Sequence, residues 1–217
     1  MKGREVPATG ELYHVYNRGV DKRSIFQDEH DIQRFLFALY YFNQKDPVGN
    51  LRDILYNKDD FLYRRPTSVE KLVSILAYSL LENHFHLIVF QRIDGGLSEF
   101  MKRMAGYTKY FNERHRRSGS LFQGKYKHAH VQSDEYLQFL FAYVNFNHTV
   151  HGSSFSFPLN KYMQPLVTSV GDYLLQDRLC DLAMVNTLID LEQLLENGKK
   201  VAQSVHEQRR QAAILLE

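Results

Sequence analysis

Two histidines stand one residue apart in Asn83-His84-Phe85-His86-Leu87-Ile88-Val89, within one of the most apolar runs of the chain. On a β-strand successive side chains alternate between faces, so His84 and His86 point one way while Phe85, Leu87 and Val89 point the other. At a rise of roughly 3.3 Å per residue the two imidazoles sit about 6–7 Å apart, close enough to share one metal ion. Burying two neutral imidazoles without partners would cost about 1–3 kcal/mol each. That face must therefore supply hydrogen-bond partners or co-ligands. A second pair, His128 and His130, has the same spacing in a basic and polar setting that suits surface exposure or phosphate contact. All four histidines together would suit zinc or another imidazole-seeking metal and would make a metallohydrolase.

The run from Ser133 to Val150 carries the second set of reactive groups. Leu137, Leu140, Phe141 and Val144 recur at helical spacing and form its core stripe. Tyr143 and Asn147 are four apart, which puts them on one face with Cβ atoms about 5–6 Å apart. They lie at the edge of the stripe, where polar groups reach out beside a sheet. A tyrosine hydroxyl next to a metal-binding histidine pair is a nucleophile, and an asparagine oxygen is a third ligand. Tyr136, one heptad earlier on the same side, is the competing nucleophile.

From Met101 to Lys127 the chain holds eight Lys/Arg (Lys102, Arg103, Lys109, Arg114, Arg116, Arg117, Lys125, Lys127) against one acid, Glu113, so +7 on 27 residues. Tyr107, Tyr110, Phe111, Phe122 and Tyr126 are interleaved with them. A bare charge run describes a solvated helix face. Cations mixed with stacking rings suit a polyanion carrying unpaired bases.

These groups need elements to hold them. Leu12–Tyr16 reads as a strand followed by turn residues Asn17-Arg18-Gly19. A helix follows, with Asp28 as its N-cap and Ile32, Phe35, Leu36 and Leu39 at helical spacing. Residues 44–68 show no sustained period and read as an insertion or long connection. "KLVSILAYSLL" and "HFHLIVFQ" are β-prone runs joined by Glu82-Asn83, a tight hairpin. Gly95-Gly96 breaks the chain before one helix capped by Ser98 that runs to Ser118-Gly119. "LFQGKYKHAHVQ" reads as a strand and Ser133-Asp134-Glu135 opens the next helix, which stops at Gly152. Beyond Asp172 the chain is mostly helical, with a break near Asn197-Gly198. The order β-α-ββ-α-β-α predicts an α+β fold, an antiparallel sheet of four or five strands sandwiched by helices, with a C-terminal helical extension.

The length of 217 residues and the 44% hydrophobic and 24% charged shares are those of a globular chain with a real core. The single cysteine, Cys180, excludes an internal disulfide framework. The start has no apolar signal region and no run reaches a membrane-span length. The expectation is a cytoplasmic protein with no membrane partner.

"YHVYNRG", "NHFHLIV" and "SGSLFQGKYK…VQSDEYLQFLFAYVNFN" together resemble the single-tyrosine HUH transposases (IS200-like), above all the REP-associated tyrosine transposases. The resemblance covers roughly residues 12–152, in the family's order. It implies the HUH endonuclease fold, a ferredoxin/RRM-like sheet, in residues 1–152, and leaves 153–217 as a loop and helical extension. It identifies His84-Phe85-His86 with the HUH motif and Tyr143 with the catalytic tyrosine, with Asn147 as third ligand of Mg²⁺ or Mn²⁺. It implies a metal-dependent single-stranded DNA endonuclease and strand transferase that cleaves and rejoins DNA at hairpin-associated sites through a 5′-phosphotyrosine. Arg18, Lys22, Arg103, Lys109, Lys125 and Lys127 are then the phosphate contacts, and Tyr107 and Phe122 the stacking faces. Family members bind imperfect hairpins and several work as dimers, which extends the expectation to a homodimer. The family commonly has Asn-Pro where this chain has Asn147-His148, so the alternative is a non-catalytic DNA-binding descendant.

Overall fold

The computed structural model describes residues 6–46, 49, 70–150, 155–159, 161, 164–175 and 179–214. Most of the expected insertion at 44–68 lies outside them. Four strands, β1 (Leu12–Arg18), β2 (Val73–Leu81), β3 (His84–Gln91) and β4 (Lys127–His130), form one antiparallel sheet in the order β2-β3-β1-β4. Its alternation sorts the side chains into two faces. Tyr13, Val15, Phe85, Leu87 and Val89 point to one, and His14, Tyr16, His84 and His86 to the other.

Helix α1 (Glu29–Tyr41) covers the first face with Ile32, Phe35 and Leu39, all essentially inaccessible. Asp28 caps it as the sequence predicts, accepting from the backbone N–H groups of His30 and Asp31. Two further helices, α2 (Gly96–Met104) and α3 (Gly106–Arg114), share this layer. The sequence pattern predicts a single helix here, capped by Ser98. The chain instead starts the helix at Gly96 and kinks at Ala105. The kink lets Tyr107 turn inward, its ring 5.1 Å from Phe35.

The second face carries α4 (Asp134–Val150). Its stripe of Leu137, Leu140, Phe141 and Val144 is buried as the periodicity predicts. Two short helices follow, α5 (Ser169–Leu175) and α6 (Leu182–Leu188), and then the long α7 (Leu191–Ile214). α7 runs unbroken through Asn197 and Gly198, against the expected break. Gly198 faces Phe146 of α4, and a Cβ there would lie 2.3 Å from the ring. Glycine is present for close approach, not for a turn.

Strand β2 is an edge strand, yet all nine of its residues are buried. The segment after α4 covers its free edge. Thr168 bridges Ser79, Ser169 Oγ accepts from the Tyr78 N–H, and the Asp181 N–H donates to the Ile75 carbonyl. The Tyr173 hydroxyl donates to the Leu76 carbonyl at 2.7 Å, where a register shift interrupts the β2–β3 ladder. Leaving those groups bare would expose a template for pairing with another chain. Tyr173, Val185, Ile189 and Leu194 join the same core cluster as the sheet.

Candidate active site

The register of the sheet brings residues from all four strands into two rows on the second face. One row is Ser79, His86, Tyr16 and Lys127; the next is Leu81, His84 and Arg18. α4 crosses this face and sets Tyr143 against His86, with ring centroids 5.6 Å apart and planes at 80°. His84 and His86 themselves stand 5.1 Å apart, edge to face. The rows, the Glu82-Asn83 turn and the loop before β4 enclose a cleft of about 590 Å³. Tyr143, His84, His86, Arg18, Lys125 and Lys127 all line it.

The histidines are oriented by their neighbours. Asn83 Nδ2 donates to the Lys22 carbonyl at 3.0 Å, which turns its Oδ1 toward His84 Nδ1 at 2.6 Å. An amide oxygen only accepts, so His84 carries its proton on Nδ1. Any ligand bond from His84 then runs through Nε2. His86 Nδ1 lies 2.9 Å from Nε2 of His14 on β1, edge to edge, with the two ring planes within 20° of each other. A ligand bond from His86 likewise runs through Nε2, with Nδ1–H donated to His14. Tethering one ring nitrogen so that the other coordinates is how metal-binding histidines are held. The donor set therefore fits a divalent ion at His84 and His86. Among the described residues no cluster of three or more His, Cys, Asp or Glu completes such a site. Asn147 follows Tyr143 by one turn of α4, and its side chain lies outside the described residues.

His14 and Asn83 escaped the sequence reading. For His14 the signal is the register that puts Tyr16 opposite His86, a long-range pairing no local pattern displays. Asn83 was visible only as a turn residue.

His128 and His130 do not join the site. They pair with Val15 and Tyr13 and so point to the opposite face. Both rings pack on Tyr13, and His130 Nε2 meets Glu11 at 2.8 Å. The four-histidine arrangement expected of a metallohydrolase is not formed, because β4 is paired out of phase with it. Tyr136 projects outward, 39% exposed, and stacks on Phe139 away from the cleft lining.

The basic segment divides in the same way. Arg103 is spent inside the protein: it donates to the carbonyls of Phe42, Gln44 and Lys45 and pairs with Glu99 at 2.8 Å. Tyr107 is enclosed in the core and donates to the Ile25 carbonyl, and burial pushes its phenol pKa well up. It presents no stacking face to a strand. Lys109 is exposed on α3, in the layer across the sheet from the cleft, with Glu113 at 3.9 Å. Lys22 is exposed beside the turn and does not line the cleft. Phe122 is half-buried and meets Phe85 edge to face at 5.9 Å.

Among known proteins, residues 63–147 match the family model described as "Transposase IS200 like". The matched stretch contains His84, His86, Tyr143 and Asn147, the motifs that carry the resemblance in the sequence. The chain is also similar to a solved structure described as "Structure of the REP associates tyrosine transposase bound to a REP hairpin". Identity there is 12%, the TM-score is 0.48, and the match covers 81% of this chain and 86% of that one. No curated protein matches the chain. No helix of the described residues is long and apolar enough to cross a membrane.

Proposed function

We propose that the chain is a single-stranded DNA nickase and strand transferase of the IS200-like transposase type, with Tyr143 as nucleophile. The observation that carries this reading is the meeting of Tyr143 with His86 in a cleft rimmed by Arg18, Lys125 and Lys127. The family match over both motifs supports it.

The cations hold the phosphates of one strand across the cleft mouth and supply most of the affinity. Tyr143 Oη attacks phosphorus, forming the Oη–P bond as the P–O3′ bond breaks. The phenolic proton ends on the departing 3′ oxygen, and the 5′ side stays on the protein as a phosphotyrosine. The phosphodiester energy is retained in that link, so a 3′ hydroxyl attacking it reverses the step and joins strands without a nucleotide cofactor. His84 and His86, with Asn147, would hold Mg²⁺ or Mn²⁺, which when bound supplies positive charge for the non-bridging oxygens. His14 and Asn83 keep the two imidazoles in the ligating tautomer. An unpaired strand is required, because a scissile phosphate in a duplex cannot bend into the cleft. Hairpin-associated sites, where paired and unpaired DNA meet, fit that requirement.

The test is a denaturing gel of end-labelled single-stranded DNA from the region flanking the gene, with Mg²⁺ or Mn²⁺. A protease-sensitive, slow-migrating adduct is expected from the wild type and none from Tyr143→Phe. An adduct that survives Tyr143→Phe overturns the assignment of the nucleophile. DNA binding with no adduct in the wild type overturns catalysis and leaves a binding protein.

A further inference from the structure

A second cleft of about 560 Å³ opens beside the first, on the opposite face of the sheet. Phe35, Phe85, Met101 and Met104 form its floor, and half-buried Phe122 and Tyr126 form one wall. The exposed residues Lys102 and Lys125 stand among its lining. Two residues belong to both clefts, Asn17 and Lys125. Asn17 Nδ2 donates to the Gly124 carbonyl at 3.1 Å, fixing the loop that separates them. His84 and His86 open into one cleft while Phe85 between them floors the other.

We propose that this second cleft holds one unpaired nucleobase of the strand whose phosphates lie in the histidine cleft. The inference rests on the single-strand reading above and adds a site for base capture to it. Three observations select this occupant. Aromatic rings and methionine sulfurs on floor and wall match the flat, polarisable face of a base. Lys125, shared by the two clefts, places positive charge where the backbone passes from one to the other. The Ser98 and Thr108 hydroxyls among the lining can donate or accept, and Ser120, whose proton goes to the Phe122 carbonyl, offers an acceptor, so together they meet the edge of any base and the site is tolerant of sequence. A strand that rounds the end of the sheet with one base turned into this pocket is clamped on both sides of Asn17. The scissile phosphate is thereby fixed in register with Tyr143.

The experiment is an abasic scan. The strand that forms the adduct is made with each base removed in turn, phosphates intact, and its affinity for Tyr143→Phe protein is measured by fluorescence anisotropy. Removing one particular base is expected to weaken binding about tenfold, in line with the loss of one stacked base. Two further variants are added to Tyr143→Phe: Phe122→Ala, which removes the wall, and Ala105→Trp, which sets a ring at an exposed lining position without touching the floor. In both, that same abasic substitution is expected to cost nothing further. A flat scan, or a tenfold loss that persists in both variants, overturns the pocket. If the adduct forms normally while the scan is flat, the nucleophile reading stands and only the pocket falls. If wild-type protein neither binds nor labels single strands, both fall together.

Discussion

His14 shows how far a candidate site depends on a residue outside its cleft lining. Its Nε2 lies 2.9 Å from His86 Nδ1, with the two ring planes within 20° of each other, and its ring meets that of Tyr16 at a tilt of 31°. Replacing it with phenylalanine keeps the ring and removes the acceptor. The expected outcome is a loss of Mn²⁺ affinity of about 10–100-fold, typical for an orienting partner of a ligand. Titration of the Tyr143→Phe protein by Mn²⁺ electron paramagnetic resonance measures it. Imidazole ¹⁵N shifts of His86 should move from one tautomer to a mixture, which a purely structural role would not produce. His14→Gln restores an acceptor and should recover most of the affinity. An unchanged Mn²⁺ affinity in His14→Phe removes His14 from the site. The sequence made His84, His86 and Tyr143 legible because each rests on local periodicity, two residues on a strand or 3.6 on a helix. It left His14 illegible, since the β1–β3 register is decided by packing across 72 residues of chain.

The helices tell the same story one level up. Asp28, the Glu82-Asn83 turn and the stripe on α4 were readable because caps, tight turns and amphipathic faces are local devices. The kink at Ala105 and the continuity of α7 were not, because tertiary contacts decide both. Glycine 198 makes this concrete. In a helix exposed to solvent, Gly198→Ala would stabilise by about 1 kcal/mol. Here the new methyl meets the Phe146 ring, three residues beyond Tyr143 on α4, and overpacking costs typically 1–3 kcal/mol. The expected result is a net loss of stability in urea denaturation despite the better propensity. Combining it with Phe146→Leu should recover part of the loss, a non-additivity that assigns the effect to this one contact. A stabilised Gly198→Ala would show that α7 does not press on α4 as the structure has it.

Charge belongs to the molecule as a whole, and the basic segment shows why counting it in sequence misleads. Its +7 on 27 residues is real, but the fold divides the cations by role. Arg103 holds the carbonyls of Phe42, Gln44 and Lys45, and Arg114 clamps Asp28 and the fully buried Asp31, both at the far layer. Burial raises the Asp28 carboxyl, but the clamp together with the N–H groups of Asp31 and His30 outweighs it and holds the group below its ordinary pKa. Lys125 and Lys127 line the cleft, joined by Arg18 from a different strand. Single-strand binding should therefore lose affinity with salt at a slope near −0.7 per neutralised phosphate, about −2 for these three contacts. Lys127→Ala and Arg18→Ala are each expected to shallow that slope by about 0.7. Lys109→Ala, although in the same basic run, should leave it unchanged. Arg103→Ala should lower the unfolding midpoint while preserving the slope of whatever protein remains folded. Anisotropy titrations between low and moderate salt separate these cases. If Lys109 shifts the slope as much as Lys127 does, the strand follows the outer helix layer, and the track through the histidine cleft is wrong.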